Sequence, residues 1–127
     1  MADDLVRDPY PSEVEFFRRN PKTTGMATQD GKVIINPFSD LSEKQRKAVI
    51  KNETARLLMR NDKRYTPVFP LTREQQKTLS SYPGSLQDKR ETVVGRIVSG
   101  DRSAGTPTEA QLHYARRVNR TLAEGEK

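Results

Sequence analysis

Residues 41–60, LSEKQRKAVIKNETARLLMR, decide the fold. Ser42 followed by Gln45 has capping-box spacing, in which the serine hydroxyl takes the N3 amide and the glutamine reaches back to the N-cap amide. Glu43 in the first turn and Arg60 in the last complement the helix dipole. At about 100° per residue, Leu41, Ala48, Asn52, Ala55 and Met59 share one side, and Ile50 and Leu57 lie opposite. A helix apolar on two sides is packed on two sides, so this one is predicted to run through the middle of the domain. Asn52 falls inside the apolar stripe, with Glu53 on its flank and Arg56 one turn on. An unpaired buried amide costs about 1–3 kcal/mol. Asn52 is therefore expected to be buried and bonded to the backbone of a neighbouring hairpin or of the Asn36-Pro37 turn.

Asn52, Glu53 and Arg56 also have the spacing of the zinc-peptidase motif H-E-x-x-H, in which two histidines one turn apart reach the metal and the glutamate activates water. Here the glutamate is in place and both ligands are replaced, by a poor one and by none. The preferred reading is a structural polar cluster; an inactive zinc-peptidase-like scaffold is the alternative. His113 is the single histidine and there is no cysteine. No metal site, catalytic residue or cofactor is expected, and the chain is read as not an enzyme.

Upstream, Asp30-Gly31 between residues 26–29 and 32–36 signals a β-hairpin with a type I′ turn. Val33-Ile34-Ile35 is a short apolar run that suits a strand covered on both faces or one pairing across an interface. Phe38 is expected to cap the core. Before the hairpin, Ser12 with Glu15 marks a helix start that Asn20-Pro21 ends, and residues 1–11, broken by Pro9 and Pro11, read as an extended, exposed arm. Downstream, Thr72 with Gln75 opens a third helix. Residues 80–85 break the chain, and a fourth helix carries Leu86, Val93 and Ile97 on one face, with Gly95 inside it marking close packing. Residues 99–105 read as a plain connector in preference to a phosphate-binding loop, because the lysine-serine ending is missing. Thr106, Pro107 and Glu109 give the last helix an N-cap, a proline at N1 and a box residue.

The whole is predicted to be a small α+β domain over residues 12–123, four or five helices and one hairpin packed on the central helix, with residues 124–127 frayed. Apolar content is 32% and charged content 31%, enough for a small core only. The acidic Asp3 and Asp4 and the lack of a long apolar run argue against a secretory signal or membrane span. Net charge is +6, with fourteen arginines to nine lysines, which suits forked contacts to carboxylate or phosphate. The basic residues stand in three groups, Arg18/Arg19/Lys22, Lys63/Arg64 and Arg116/Arg117/Arg120, each a candidate contact for an anionic partner. Acids such as Glu13, Glu15 and Asp62 dilute them, and aromatics are not interleaved with them, so nucleic-acid binding is expected to be weak, nonspecific and lost near physiological salt.

Gly25-Met26-Ala27, Val33, Asn36-Pro37, Leu41, Val49, Asn52-Glu53 and Arg56, then Ser99-Gly100-Asp101 and Thr106-Pro107-Thr108, resemble small uncharacterised proteins encoded by tailed bacteriophages, over residues 12–118. The resemblance lies in caps, turns and core positions and carries over no active site. It implies a phage origin, with the protein in the virion or the cytoplasm of the infected bacterium. The expectation is a non-enzymatic virion structural or assembly component whose partners are other phage proteins, in an oligomeric assembly. The alternative is a nucleic-acid-binding accessory protein using the arginine-rich helix ends.

Overall fold

The computed structural model describes residues 5–125 apart from Pro83 and Ala104; Asp3 and Asp4 of the expected arm, and Glu126 and Lys127 of the expected fray, lie outside them. The described chain is α+β: five α-helices, α1 (Pro11–Arg19), α2 (Glu43–Asn61), α3 (Arg73–Thr78), α4 (Leu86–Val98) and α5 (Glu109–Gly125), with a two-stranded antiparallel hairpin, β1 (Gly25–Ala27) and β2 (Val33–Ile35). A 3-10 turn, Lys63–Tyr65, follows α2.

The central helix is α2. It packs against both strands, α4 and α5. Ile50 and Leu57 are buried on one side, Ala55 and Met59 on the other, as two-sided apolar patterning dictates. Ser42 and Gln45 make the reciprocal box at 3.1 and 2.8 Å, and Thr72 and Gln75 do the same for α3 at 2.9 and 3.1 Å. Met59, Phe69, Leu79, Val94 and Val118 form the centre of the core.

Gly25, Met26 and Ala27 pair with Ile35, Ile34 and Val33. The turn is not type I′. That type needs positive φ at both central residues, and among the described residues only glycines have it, Gly31 at 78° included. Instead Gly31 N–H donates to Thr28 O at 3.1 Å, and Thr28 N–H to Lys32 O at 2.8 Å, the longer loop in which the left-handed residue comes last. Asp30 is held by tertiary contact: Arg7 Nε donates to its Oδ2 at 3.1 Å.

Arg7 also corrects the expected exposed arm. Its guanidinium forks onto Glu13 at 2.8 and 2.9 Å and lies 3.9 Å from the centre of the Tyr10 ring. Val6 bridges Val33 in parallel, and Arg7 N–H donates to Val33 O at 3.0 Å. The ladder stops there because Pro9 has no N–H for the next rung.

Two helix starts differ from expectation. The first follows Tyr10 rather than Ser12, with Pro11 at N1 and Glu13 accepting from Tyr10 N–H at 2.8 Å. The last is capped by Thr108, not Thr106, with Gln111 as its box partner at 3.0 and 3.2 Å. Gln111 and Gln75, both buried, then bond each other through reciprocal amides at 2.7 and 2.8 Å. Phe38 is 52% exposed and does not cap the core; Arg18 lies over its ring.

Candidate functional site

Two polar groupings stand out, one inside the molecule and one on its surface. The inner one is the seam between α2 and α4. Arg56 Nη2 donates to Thr92 Oγ1 at 3.0 Å, and one turn on Arg60 Nε donates to Glu91 Oε1 at 3.0 Å. Glu91 is buried and Arg60 41% exposed, so one end of this pair stays in water. Glu53 is buried against the Ala27 amide of β1; burial pushes its carboxyl above the usual value, opposed by Arg56, Arg60 and that amide.

Asn52 is half-buried and faces Gly95 rather than the hairpin. A β-carbon on Gly95 would stand 2.4 Å from Asn52 Oδ1, so the glycine is what lets the helices approach. Asn52 Oδ1 and Arg56 Nε, both buried, have no hydrogen-bond partner among the described residues. The expected bond from Asn52 to hairpin backbone is therefore not made. The reason is the 100° step along the helix: it points Glu53 at β1 and leaves Asn52 against α4. The two positions where zinc ligands would stand thus look into a helix seam. A groove of about 290 Å³ lies elsewhere, with Arg7, Asp8, Ile35, Asn36 and Arg46 among the residues lining it.

The surface grouping is centred on Tyr65. The guanidinium of Arg64 lies 5.6 Å from the ring centre, and that of Arg117 5.3 Å. Thr121 Oγ1 donates to Tyr65 Oη at 2.7 Å, fixing the 3-10 turn on α5. Arg64 and Arg117, one from each of two basic groups, thereby come together. Asp62 is the acid among them; Arg64 grips it at 2.7 Å, and Arg64 with Arg117 nearby holds its carboxyl below the usual range. Lys63, Arg64, Arg116 and Arg120 are exposed. His113 is exposed on the same side of α5, its ring edge-on to Tyr114.

Arg18, Arg19 and Lys22 belong to a different place. Arg18 and Arg19 lie near Glu15 at 3.9 and 3.5 Å, and Lys22 is exposed in the turn after α1. Tyr65 was missed as a site residue, and the expectation that aromatics are not interleaved with basic residues fails at it. The local signal was its place directly after Lys63-Arg64; the partner, Arg117, is too distant in sequence for spacing to reveal.

Comparison with protein families, with curated proteins and with solved structures finds no match for this chain. No helix among the described residues is long and apolar enough to cross a membrane.

Proposed function

We propose that this chain is a non-enzymatic interaction protein, a structural or assembly component of a tailed-phage particle, and that it docks an anionic partner through the basic surface around Tyr65. One observation carries the docking surface: Arg64 and Arg117, more than fifty residues apart, stand over one tyrosine, with Lys63, Arg116 and Arg120 exposed in the same two segments. Holding like charges together costs Coulomb energy that an anion would repay. The seam residues that most resemble chemistry are occupied with the fold, Arg56 on Thr92, Arg60 on Glu91 and Glu53 on β1. The phage setting rests on the sequence resemblance.

Mass spectrometry of purified particles and of their assembly intermediates tests the setting; peptides of this chain at a fixed ratio to the major components are expected. Adding purified Arg116→Glu/Arg120→Glu protein to particles lacking the chain tests the surface. Absence of the parent chain from particles and intermediates overturns the setting, and undiminished incorporation of the double variant overturns the surface.

A further inference from the structure

We infer that the partner of the Tyr65 surface is double-stranded nucleic acid, gripped by its phosphate backbone without reading sequence. The inference rests on the reading of that surface as a docking site. Charge density favours it over an acidic protein. From Arg116 to Arg120 the helix rises about 6 Å and carries three arginines, Arg116, Arg117 and Arg120. That spaces the charges about 3 Å apart, close to the roughly 3.4 Å per phosphate along one strand of a duplex. An extended acidic peptide presents one carboxylate to a given face only every second residue, about 7 Å apart, and would leave most of these cations unmatched. Lys63 and Arg64 widen the strip beyond a single helix face, toward the breadth of a backbone rather than a single anion.

Tyr65 decides the absence of base readout. Arg64 and Arg117 stand over its ring and Thr121 holds its hydroxyl, so it is not an open platform on which a base could stack. Single strands gain no stacking here. His113 is the exposed neutral side chain on this side of α5, and the acids on the same face, Glu109 and Glu124, stand at the two ends of the helix, leaving the middle to arginine. With Arg64 neutralised by Asp62, the remaining cations neutralise about four phosphates, which gives a slope of about −3.6 for log affinity against log salt, roughly a 150-fold loss between 50 and 200 mM.

The test measures binding of the full chain to a fluorescent 20-base-pair duplex of mixed sequence, a second duplex of scrambled sequence, and polyglutamate, each over a salt series. Expected are equal affinities for the two duplexes, both tighter than polyglutamate at every salt, and a slope near −4. Arg116→Glu/Arg120→Glu, both exposed, should lower the slope by about two with an unchanged melting temperature, and Arg18→Glu/Arg19→Glu should leave it unaltered. Polyglutamate bound as tightly as duplex, a strong preference for one sequence, or equal losses in both arginine pairs overturns the nucleic-acid inference while leaving an anion-docking surface standing in the first two cases. Binding to neither polyanion at 50 mM salt overturns the inference and the docking surface together.

Discussion

At the scale of single residues, the seam shows how neighbours on one helix acquire opposite roles. Asn52 Oδ1 is buried without a partner, so Asn52→Ala removes an unsatisfied acceptor and should leave stability within about 1 kcal/mol of the parent. A loss of 3 kcal/mol or more by chemical denaturation would mean that the amide is paired in solution. Gly95→Val should cost about 1–3 kcal/mol through overpacking, and less in an Asn52→Ala background, where the crowded atom is gone. Glu53 makes a pH prediction. Its folded pKa is raised above the ordinary 4.5, so its contribution to stability is fully present below the unfolded value and is lost as pH rises through the folded one. Glu53→Gln keeps an acceptor for the Ala27 amide without the charge. Its melting temperature relative to the parent should therefore improve from pH 4 to pH 8, and a pH-independent difference would contradict the assignment. Gly31, at φ 78° with open space around it, makes a cleaner case: Gly31→Val should cost about 1–2 kcal/mol from backbone strain alone.

At the scale of elements, the coupling of α3 to α5 runs through their first turns. Gln75 and Gln111 each close a capping box and also bond each other while buried. Gln75→Leu should cost about 1–3 kcal/mol, because it leaves the Thr72 N–H unpaired and removes the two bonds that Gln75 shares with the Gln111 amide. Replacing both glutamines by leucine should cost less than the sum of the single changes, since the two bonds they share are then lost only once. A double-mutant cycle by urea unfolding measures this coupling, expected at about 1 kcal/mol; strict additivity would show that the two helix starts are independent.

At the scale of the whole molecule, Arg7 ties the N-terminal segment to both the hairpin turn and α1 through Asp30 and Glu13. Hydrogen bonds from Arg7 hold the Glu13 carboxyl below its usual value, and those from Thr28 and Arg7 do the same for Asp30. The stabilisation from a lowered carboxyl is present above its unfolded pKa and is lost as pH falls through the folded one. Acid should therefore loosen the N-terminal segment while the burial of Glu53 favours its protonated form. Amide exchange at Arg7 and Val14 is expected to accelerate below the carboxylate range, and Arg7→Ala should abolish that pH dependence. Equal protection in parent and variant at neutral pH would show that the Val6–Val33 pairing alone holds the segment.

What the sequence by itself determined is what local chemistry writes into the chain. The boxes Ser42–Gln45 and Thr72–Gln75, the two-sided stripe of α2, the pairing of a short strand with Val33-Ile34-Ile35 and the glycine at close packing all follow from spacing within a few residues. Where two local solutions competed, tertiary contacts chose. The run Thr106-Pro107-Thr108-Glu109-Ala110-Gln111 offers two overlapping capping boxes, and the meeting of Gln111 with Gln75, thirty-six residues away, goes with the second. The start of α1 was read at Ser12 with Glu15, whereas Glu13 closes it at Tyr10 and its carboxylate is also claimed by Arg7, which turns a local cap into a link between elements. Asp30-Gly31 signalled a hairpin correctly and its turn type wrongly: Thr28 closes a longer loop onto Gly31 and Lys32, and Arg7 adds a contact to the Asp30 carboxylate from outside the hairpin. The candidate surface lay furthest from view. Each basic group was visible, yet only packing of the 3-10 turn on α5 places Arg64 and Arg117 over one tyrosine, since charge proximity across fifty residues is set by how helices cross and by no periodicity within them.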